Sequence, residues 1–324
     1  MKVVVDAPSR LHLGFYNFFE DGIAYGGLGV AIEEPKFLVR LWRSNKFEIS
    51  NETGVELSDI IGKVVEKFNI MNIGISIEKA IPRHVGLGST TQGILSLGYG
   101  ISKLFNFNYS VRDIALMFGR GRDSGIGIAV FEKGGFVVDS GRRIDGIVEP
   151  PKDLKDLPLP IIRKVIPRNW YFLVFIPKGI RGLDEVTERR AMDQPSPLPK
   201  DLQYELYKLV LLHILPSIDR RDIVVFGKAI TKLQVIVGTY FSRYQKGIYC
   251  CEETEIIINS LLSHGAHGAG QSSWGPTAYG IVEGRKRALR ILDKVLNDIY
   301  RKGFECHYMV VRARNYGAEI SWEE

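Results

Sequence analysis

This 324-residue sequence predicts a mixed α+β protein built in two halves. Three observations carry the prediction. Apolar runs of strand character sit near both ends of the chain, segments of helical period lie between them, and a proline cluster divides the two sets.

In chain order, residues 3–6 open a strand, 24–29 read as a glycine-rich turn, and 30–32 and 37–42 are further strand-like runs. Val55, Leu57, Ile60, Ile61, Val64, Val65 and Phe68 fall mostly on one side of a helix over 55–69. The alternation Ile73, Ile75, Ile77 predicts a half-buried strand. Pro82 opens a loop, and Ser89 or Thr90 stands where it would cap a helix running to Leu104. Residues 111–118 form a second short helix, 119–127 are glycine-rich, and 135–139 are strand-like.

Pro150, Pro151, Pro158 and Pro160, with Pro167 just beyond, mark the junction, giving an N-terminal half of 1–160 and a C-terminal half of 161–324. In the second half, 170–176 is a strand and 201–215 and 222–241 are helical. A turn of small residues at 264–276 leads into a strand at 277–282, a helix at 286–302 and a last strand at 305–312.

The composition, 45% hydrophobic and 25% charged, is that of an ordinary globular protein. A net charge of +6 raises the question of a nucleic-acid partner. The basic residues are scattered, their densest runs being short clusters such as Arg142 with Arg143 or Arg220 with Arg221, without a basic tail or interleaved aromatics. The excess therefore reads as solvated surface or as affinity for an anionic small substrate, and no nucleic-acid partner is expected. Cys250, Cys251 and Cys306 make neither a disulfide framework nor a zinc spacing, which suits a reducing compartment. The first residues hold an apolar run too short for a signal peptide, and no stretch reaches the roughly 18 apolar residues of a membrane span. A cytoplasmic location without membrane association is expected.

The most informative stretch is Pro82-Arg83-His84-Val85-Gly86-Leu87-Gly88-Ser89-Thr90-Thr91-Gln92. Glycines at 86 and 88 let the backbone turn sharply and approach a ligand. The hydroxyl residues then start a helix whose free N–H groups and positive dipole end point into the same space, which makes an anion site. The loop is not a Walker A motif, since no Gly-Lys-Ser/Thr follows, nor a dinucleotide fingerprint after an early strand. Taken alone, it is equally an ordinary helix start after a glycine turn.

The rest of the chain adds to it. The segment Gly86-Leu87-Gly88-Ser89 after Pro82 resembles the second signature of the GHMP kinases (galacto-, homoserine, mevalonate and phosphomevalonate kinases). Gly268-Ala269-Gly270-Gln271-Ser272-Ser273-Trp274-Gly275-Pro276 resembles their third signature, and Ala7-Pro8-Ser9-Arg10 with Gly26-Gly27-Leu28-Gly29 resembles the first. These matches occur in the family's order over nearly the whole chain. The resemblance implies the two-domain GHMP-kinase fold, with an N-terminal half like ribosomal protein S5 domain 2 and a ferredoxin-like C-terminal half.

Many GHMP kinases carry an SGIDxxxxxxGG segment whose Asp serves the acceptor hydroxyl. Here the frame reads Ser124-Gly125-Ile126-Gly127 through Gly134-Gly135, with Gly127 where that Asp would stand. Either another base, Asp123 or Glu132 being nearest, replaces it, or no hydroxyl is phosphorylated. Pro8-Ser9-Arg10-Leu11-His12, Thr91-Gln92, Gly119-Arg120-Gly121-Arg122 and Ser272-Ser273-Trp274-Gly275-Pro276 favour the second reading, because they resemble the β-ribofuranosylaminobenzene 5′-phosphate synthase branch of the superfamily. Segments 154–166 and 183–199 match no motif.

That resemblance implies a reaction of phosphoribosyl pyrophosphate with 4-aminobenzoate that releases CO2 and pyrophosphate, within methanopterin-type cofactor synthesis in archaea, and a homodimer. It also implies roles. Gly86, Leu87, Gly88, Ser89, Thr90, Thr91 and Gln92 would hold the pyrophosphate, with Mg2+ on Ser89. Arg120, Arg122 and Ser124 would hold phosphate, the arginines through their bidentate fork. Arg10 would pair with the benzoate carboxylate, His12 would polarise or orient the aryl amine, and Glu132 would shield the ribosyl cation or bind the metal. Gly26, Gly27, Gln271, Ser272, Ser273 and Trp274 would line the substrate. Bland alternatives stand beside these: Arg10 and His12 as a packed strand pair, Glu132 as a surface partner of a cation, Ser272 and Ser273 as a plain turn. An ATP-dependent kinase with a non-standard base, or a non-catalytic binder of a phosphorylated metabolite, are the competing readings.

Overall fold

The computed structural model describes residues 1–182, 185–245 and 247–324. The chain starts with a long antiparallel hairpin, β1 (Lys2–Glu20) and β2 (Ile23–Arg43), turned at Asp21 and Gly22, both at positive φ. β3 (Glu48–Asn51), α1 (Ser58–Phe68), β4 (Ile73–Lys79), α2 (Ser89–Leu104), α3 (Val111–Met117), α4 (Ile126–Lys133), β5 (Phe136–Asp139), β6 (Arg142–Arg143) and β7 (Pro160–Lys164) follow. These strands, with the last one of the chain, make an eight-stranded sheet whose central path pairs β1, β2, β4 and β3, with β5 and β6 further along β2 and β7 on β5.

The rest of the chain gives β8 (Trp170–Pro177), α5 (Glu185–Met192), α6 (Lys200–Lys208) continued through a π-helical turn at Leu209–Ile214 into α7 (Leu215–Asp219), α8 (Ile223–Phe241) and α9 (Glu252–Ser263). It ends with β9 (Gly268–Gln271), β10 (Ala278–Glu283), α10 (Arg285–Arg301), β11 (Cys306–Arg312) and β12 (Glu319–Glu323). β11, β8, β10 and β9 form a four-stranded antiparallel sheet in that order, while β12 returns to pair with β1. The first sheet therefore extends past residue 160 through β7 and recruits the final strand.

Several local outcomes differ from the sequence reading. Residues 24–29 are not a turn: they belong to β2, where glycines at 26, 27 and 29 let other groups lie against the strand. A Cβ at Gly26 would lie 2.4 Å from the Tyr16 ring. The helix α4 went unpredicted because it begins within the glycine-rich stretch. α2 carries no side-chain cap: its N-cap is Gly88 at φ 82°, so neither Ser89 nor Thr90 caps it.

α2 is buried on most of its surface, and its glycines permit that. A Cβ at Gly100 would be 2.2 Å from Leu41, and one at Gly98 would be 2.6 Å from Ile114. α8, by length and composition alone, is apolar enough to cross a membrane, contrary to the expectation that no segment would be. It packs instead against β1 and β9 with Phe226, Ile230 and Leu233 fully enclosed, and Asp222 caps it by accepting from the Val224 and Val225 N–H groups. Through α8 one continuous core joins the underside of the first sheet to Tyr279 and Ile281 of the second.

Candidate functional site

The loop at 82–92 is fixed by its carbonyls. The Arg10 N–H donates to the Leu87 carbonyl at 3.1 Å, and Arg10 Nη1 donates to the Gly86 carbonyl at 2.7 Å. Ser272 Oγ donates to the same Gly86 oxygen at 2.6 Å, and Thr277 Oγ1 donates to the Val85 carbonyl at 2.6 Å. Both loop glycines have left-handed φ, 86° and 82°, and a Cβ at Gly86 would lie 2.2 Å from the Ser272 carbonyl. Only glycine fits there. The uncapped first turn of α2 leaves the N–H groups of Ser89, Thr90 and Thr91 without helical partners, and their hydroxyls make no hydrogen bond among the described residues.

That turn opens on a chamber of about 140 Å³, bounded by Arg10, Arg120, Glu188, Gly86, Gly88 and Trp274 among others. It adjoins a cavity of about 500 Å³ and shares Arg10, Arg120, Thr90, Thr91, Glu188, Ser273 and Trp274 with it. The larger cavity has two characters. The shared lining carries Arg10 and Arg120; the unshared lining sets Phe15, Phe241, Val237, Met192 and Ile248 beside Arg122, Asp123 and Arg189. Trp274 stands edge-on to Phe241, with ring centroids 4.6 Å apart. Burial lowers the Arg10 guanidinium to about 10, partly offset by Glu188, so it stays charged at neutral pH.

From the cavity lining inward, His12, Ser124 and Asp139 form a chain. A bulge between His12 and Gly14 aims the imidazole inward, and the Gly14 N–H donates to Nδ1 at 3.3 Å. The ring proton therefore sits on Nε2, 3.1 Å from Ser124 Oγ. Ser124 also accepts from the Ile126 N–H at 3.2 Å, so its own proton goes to Asp139 Oδ2 at 3.3 Å. Asp139 is fully buried and accepts further from the N–H groups of Gly27 at 3.0 Å, Gly141 at 2.9 Å and Gly125 at 2.8 Å. Burial pushes its carboxyl up to about 6 against these donors. Burial, then Arg10, holds the His12 imidazole well below its usual pKa and thus neutral.

The cavity gathers Arg10, His12, Thr90, Thr91, Arg120, Ser124, Gln271, Ser273 and Trp274, with Ser89, Gly86 and Gly88 in the smaller chamber. Other expected residues lie elsewhere. Glu132 does not reach either space: it ends α4, whose opposite end faces the cavity, and burial raises its carboxyl beside Arg112 and Lys133. Arg122 touches the cavity, but its Nε and Nη2 donate to the Val148 carbonyl and Nη2 to Asp193, which ties the guanidinium to the scaffold. Gln92 turns inward and donates to the Gly127 carbonyl at 2.8 Å. Leu87 is buried.

Ser272 lies behind the wall, joining the His12 N–H to the Gly86 carbonyl. Gly26 packs against the Tyr16 ring and Gly27 supports the Ser124–Asp139 pair, where a Cβ would meet Asp139 and Ser124 at 3.3 Å; neither lines the cavity. His264 bonds Asp298, away from the loop at 82–92, whereas His84 lines both spaces. Asp139, Glu188, Phe15 and Phe241 were missed. An aspartate ending the apolar run Phe136-Val137-Val138 was a usable sign of a buried carboxyl; Glu188 lies in a segment without any pattern.

At Gly127, a Cβ would lie 3.0 Å from the Thr91 methyl. The side chain at 91 thus crowds any side chain at 127, which would have to push it back by a few tenths of an ångström.

The two sheets, the open helix and the arginine-lined cavity define a protein of the GHMP-kinase class. Residues 56–135 match the GHMP kinases N terminal domain and residues 214–302 the GHMP kinases C terminal model. Among solved structures, homoserine kinase from Cytophaga hutchinsonii superposes with a TM-score of 0.70 at 18% identity, over 99% of this chain and 97% of that one. L. major mevalonate kinase gives 0.65 at 13% identity over 95% of each. Beta-ribofuranosylphenol 5′-phosphate synthase of Archaeoglobus fulgidus is 31% identical over 97% of both chains. Its namesake from Methanothermobacter thermautotrophicus is 31% identical over 87% of this chain and 89% of that one. The chain belongs to the β-ribofuranosylphenol 5′-phosphate synthase family within the GHMP-kinase superfamily.

Proposed function

We propose that this enzyme is a decarboxylating phosphoribosyltransferase that joins phosphoribosyl pyrophosphate to a para-substituted benzoate. The observation that carries the reading is the two-ended cavity: an anion chamber at an open helix N-terminus runs into an aromatic chamber, with no carboxylate at position 127. The relatives' name specifies a phenol, which corresponds to 4-hydroxybenzoate as acceptor; 4-aminobenzoate, which the motifs suggested, differs by one para substituent.

In this reading the bond from ribose C1 to the pyrophosphate oxygen breaks, and its electron pair leaves with pyrophosphate. The ring carbon bearing the carboxylate supplies the pair for the new C–C bond. The carbon–carboxylate bond then breaks, its pair restores aromaticity, and CO2 departs. No alcohol is deprotonated, so no base at 127 is needed. The first N–H groups of α2 and Arg120 stabilise charge growing on the leaving group. Arg10, fixed on the Gly86 carbonyl, faces the benzoate carboxylate. His12, neutral and locked through both ring nitrogens, serves as a positioned wall. Phe15, Phe241 and Trp274 hold the ring.

The oxygen donors at Ser89 and Thr90 suit a hard cation arriving with the substrate's phosphates, and no cluster of three or more acidic, His or Cys ligands exists among the described residues. A Mg2+ ion there would neutralise pyrophosphate charge. With the reading go a place in methanopterin-type cofactor synthesis, a cytoplasmic, archaeal setting and a homodimer.

The test is product analysis. Purified protein with Mg2+, phosphoribosyl pyrophosphate and either 4-hydroxybenzoate or 4-aminobenzoate, without ATP, should yield a C-ribosylated arene phosphate one CO2 lighter than the simple adduct, by mass spectrometry. An ATP requirement, or a product retaining the carboxylate, would support the kinase or a simple transferase instead.

A further inference from the structure

Glu188 stands where the two spaces meet and lines both. It is half-buried on α5, with Arg10, Arg120, Arg189 and Asp123 as its charged neighbours. Yet among the described residues it makes no hydrogen bond or ion pair. Arg189 pairs with Asp123, and Arg10 donates to the Gly86 carbonyl. Burial, with Asp123 adding to it, raises the Glu188 carboxyl. The contrast with Asp139 is direct: that carboxylate has four donors and faces the scaffold, while this one has open acceptor positions and faces the cavity.

A carboxylate left unpartnered beside two arginines in an anion-binding space repels the phosphates that the space collects. It persists there to advantage only if the ligand brings donors to it. An ionised carboxylate only accepts, and its two oxygens match two neighbouring hydroxyls.

We infer that Glu188 holds the vicinal diol of a pentose phosphate, with Arg120 and the α2 N-terminus taking its anionic ends. The inference rests on the phosphoribosyl reading above and assigns the sugar subsite within it. The carboxylate makes the site selective for ribose over a sugar lacking the 2-hydroxyl.

Calorimetric titration of the full chain with ribose 5-phosphate and 2-deoxyribose 5-phosphate, in buffer containing a chelator, tests this. Wild type is expected to bind ribose 5-phosphate about tenfold more tightly, the size of one hydrogen bond to a charged acceptor. Glu188→Ala is expected to bring that ratio to about one, because ribose 5-phosphate loses the hydrogen bond while 2-deoxyribose 5-phosphate, relieved of a negative charge, is not weakened. Glu188→Gln, which keeps the shape, should give an intermediate ratio and guards against misfolding of the alanine variant. An unchanged ratio in both variants, equal binding of the two sugars by wild type, or discrimination that appears only when Mg2+ is added would overturn the assignment while leaving the phosphoribosyl reading intact. If wild type binds neither sugar phosphate, the phosphoribosyl reading and this inference both fail.

Discussion

Asp139 couples the site to pH. Its carboxylate holds the Ser124 proton, and Ser124 holds the His12 ring against the cavity wall. Protonation removes that acceptor. With the carboxyl raised to about 6 by burial, turnover is expected to decline as the pH falls through about 6, and a pH–rate profile of Ser124→Ala should lose that limb. A limb unchanged in the variant would assign it to another group. The stability linkage runs the other way. Because the folded state holds this proton more tightly than an unfolded aspartate at 3.8, the contribution is fully present below about 3.8 and is lost as pH rises through about 6. None of this was visible in the motif itself, where Ser124 reads as a phosphate ligand, because the partner carboxylate comes from a strand fifteen residues on.

At the scale of elements, the start of α2 and the start of α4 meet through Thr91 and Gly127. Gly127→Asp is expected to cost about 1–3 kcal/mol through overpacking and to confer no kinase activity, while adding Thr91→Ala should recover most of the loss. Thermal melts of the single and double variants check both directions. Gly86→Ala faces a harder obstacle, a left-handed φ together with the Ser272 carbonyl at 2.2 Å. It should destabilise clearly more than Gly54→Ala, whose φ is also positive but whose Cβ meets nothing, where only about 1 kcal/mol of strain is expected; chemical denaturation midpoints distinguish them.

The loop at 82–92 was legible because its chemistry is local: glycines that must turn and hydroxyls that begin a helix. The strand β8 was legible as an unbroken apolar run and the helix α10 by its period, and α10 does bury Ala288, Ile291, Leu292, Val295 and Ile299 along one face. Residues 24–29 misled for a physical reason. Their glycines serve close packing inside a strand, against Tyr16 and Ile126, rather than a change of chain direction.

Over the whole molecule, the halves share one core. Leu233 of α8 is fully enclosed beneath β1 and lies against Gly14, while α8 also runs along β9 of the second sheet. Leu233→Ala is therefore expected to lower the unfolding free energy by about 2–5 kcal/mol and to shift a single calorimetric transition rather than one of two. A split transition would mean that the halves unfold separately. The return of β12 to β1 could not be read from the sequence, since pairing of the first strand with the last depends on the completed sheet and not on any local pattern. The same holds for the joining of Phe15 and Phe241, from distant parts of the chain, into one aromatic wall.

In the proposed reaction one cavity releases pyrophosphate and CO2 in a single coupled turnover. A single-turnover experiment with carboxyl-labelled 4-hydroxybenzoate, phosphoribosyl pyrophosphate and excess enzyme, with no ATP present, measures both products together. Equal amounts released in step are predicted, with Arg120→Ala raising KM for phosphoribosyl pyrophosphate and Trp274→Leu raising KM for the aromatic acid. Pyrophosphate without labelled CO2, or release of either only when ATP is supplied, would contradict the account.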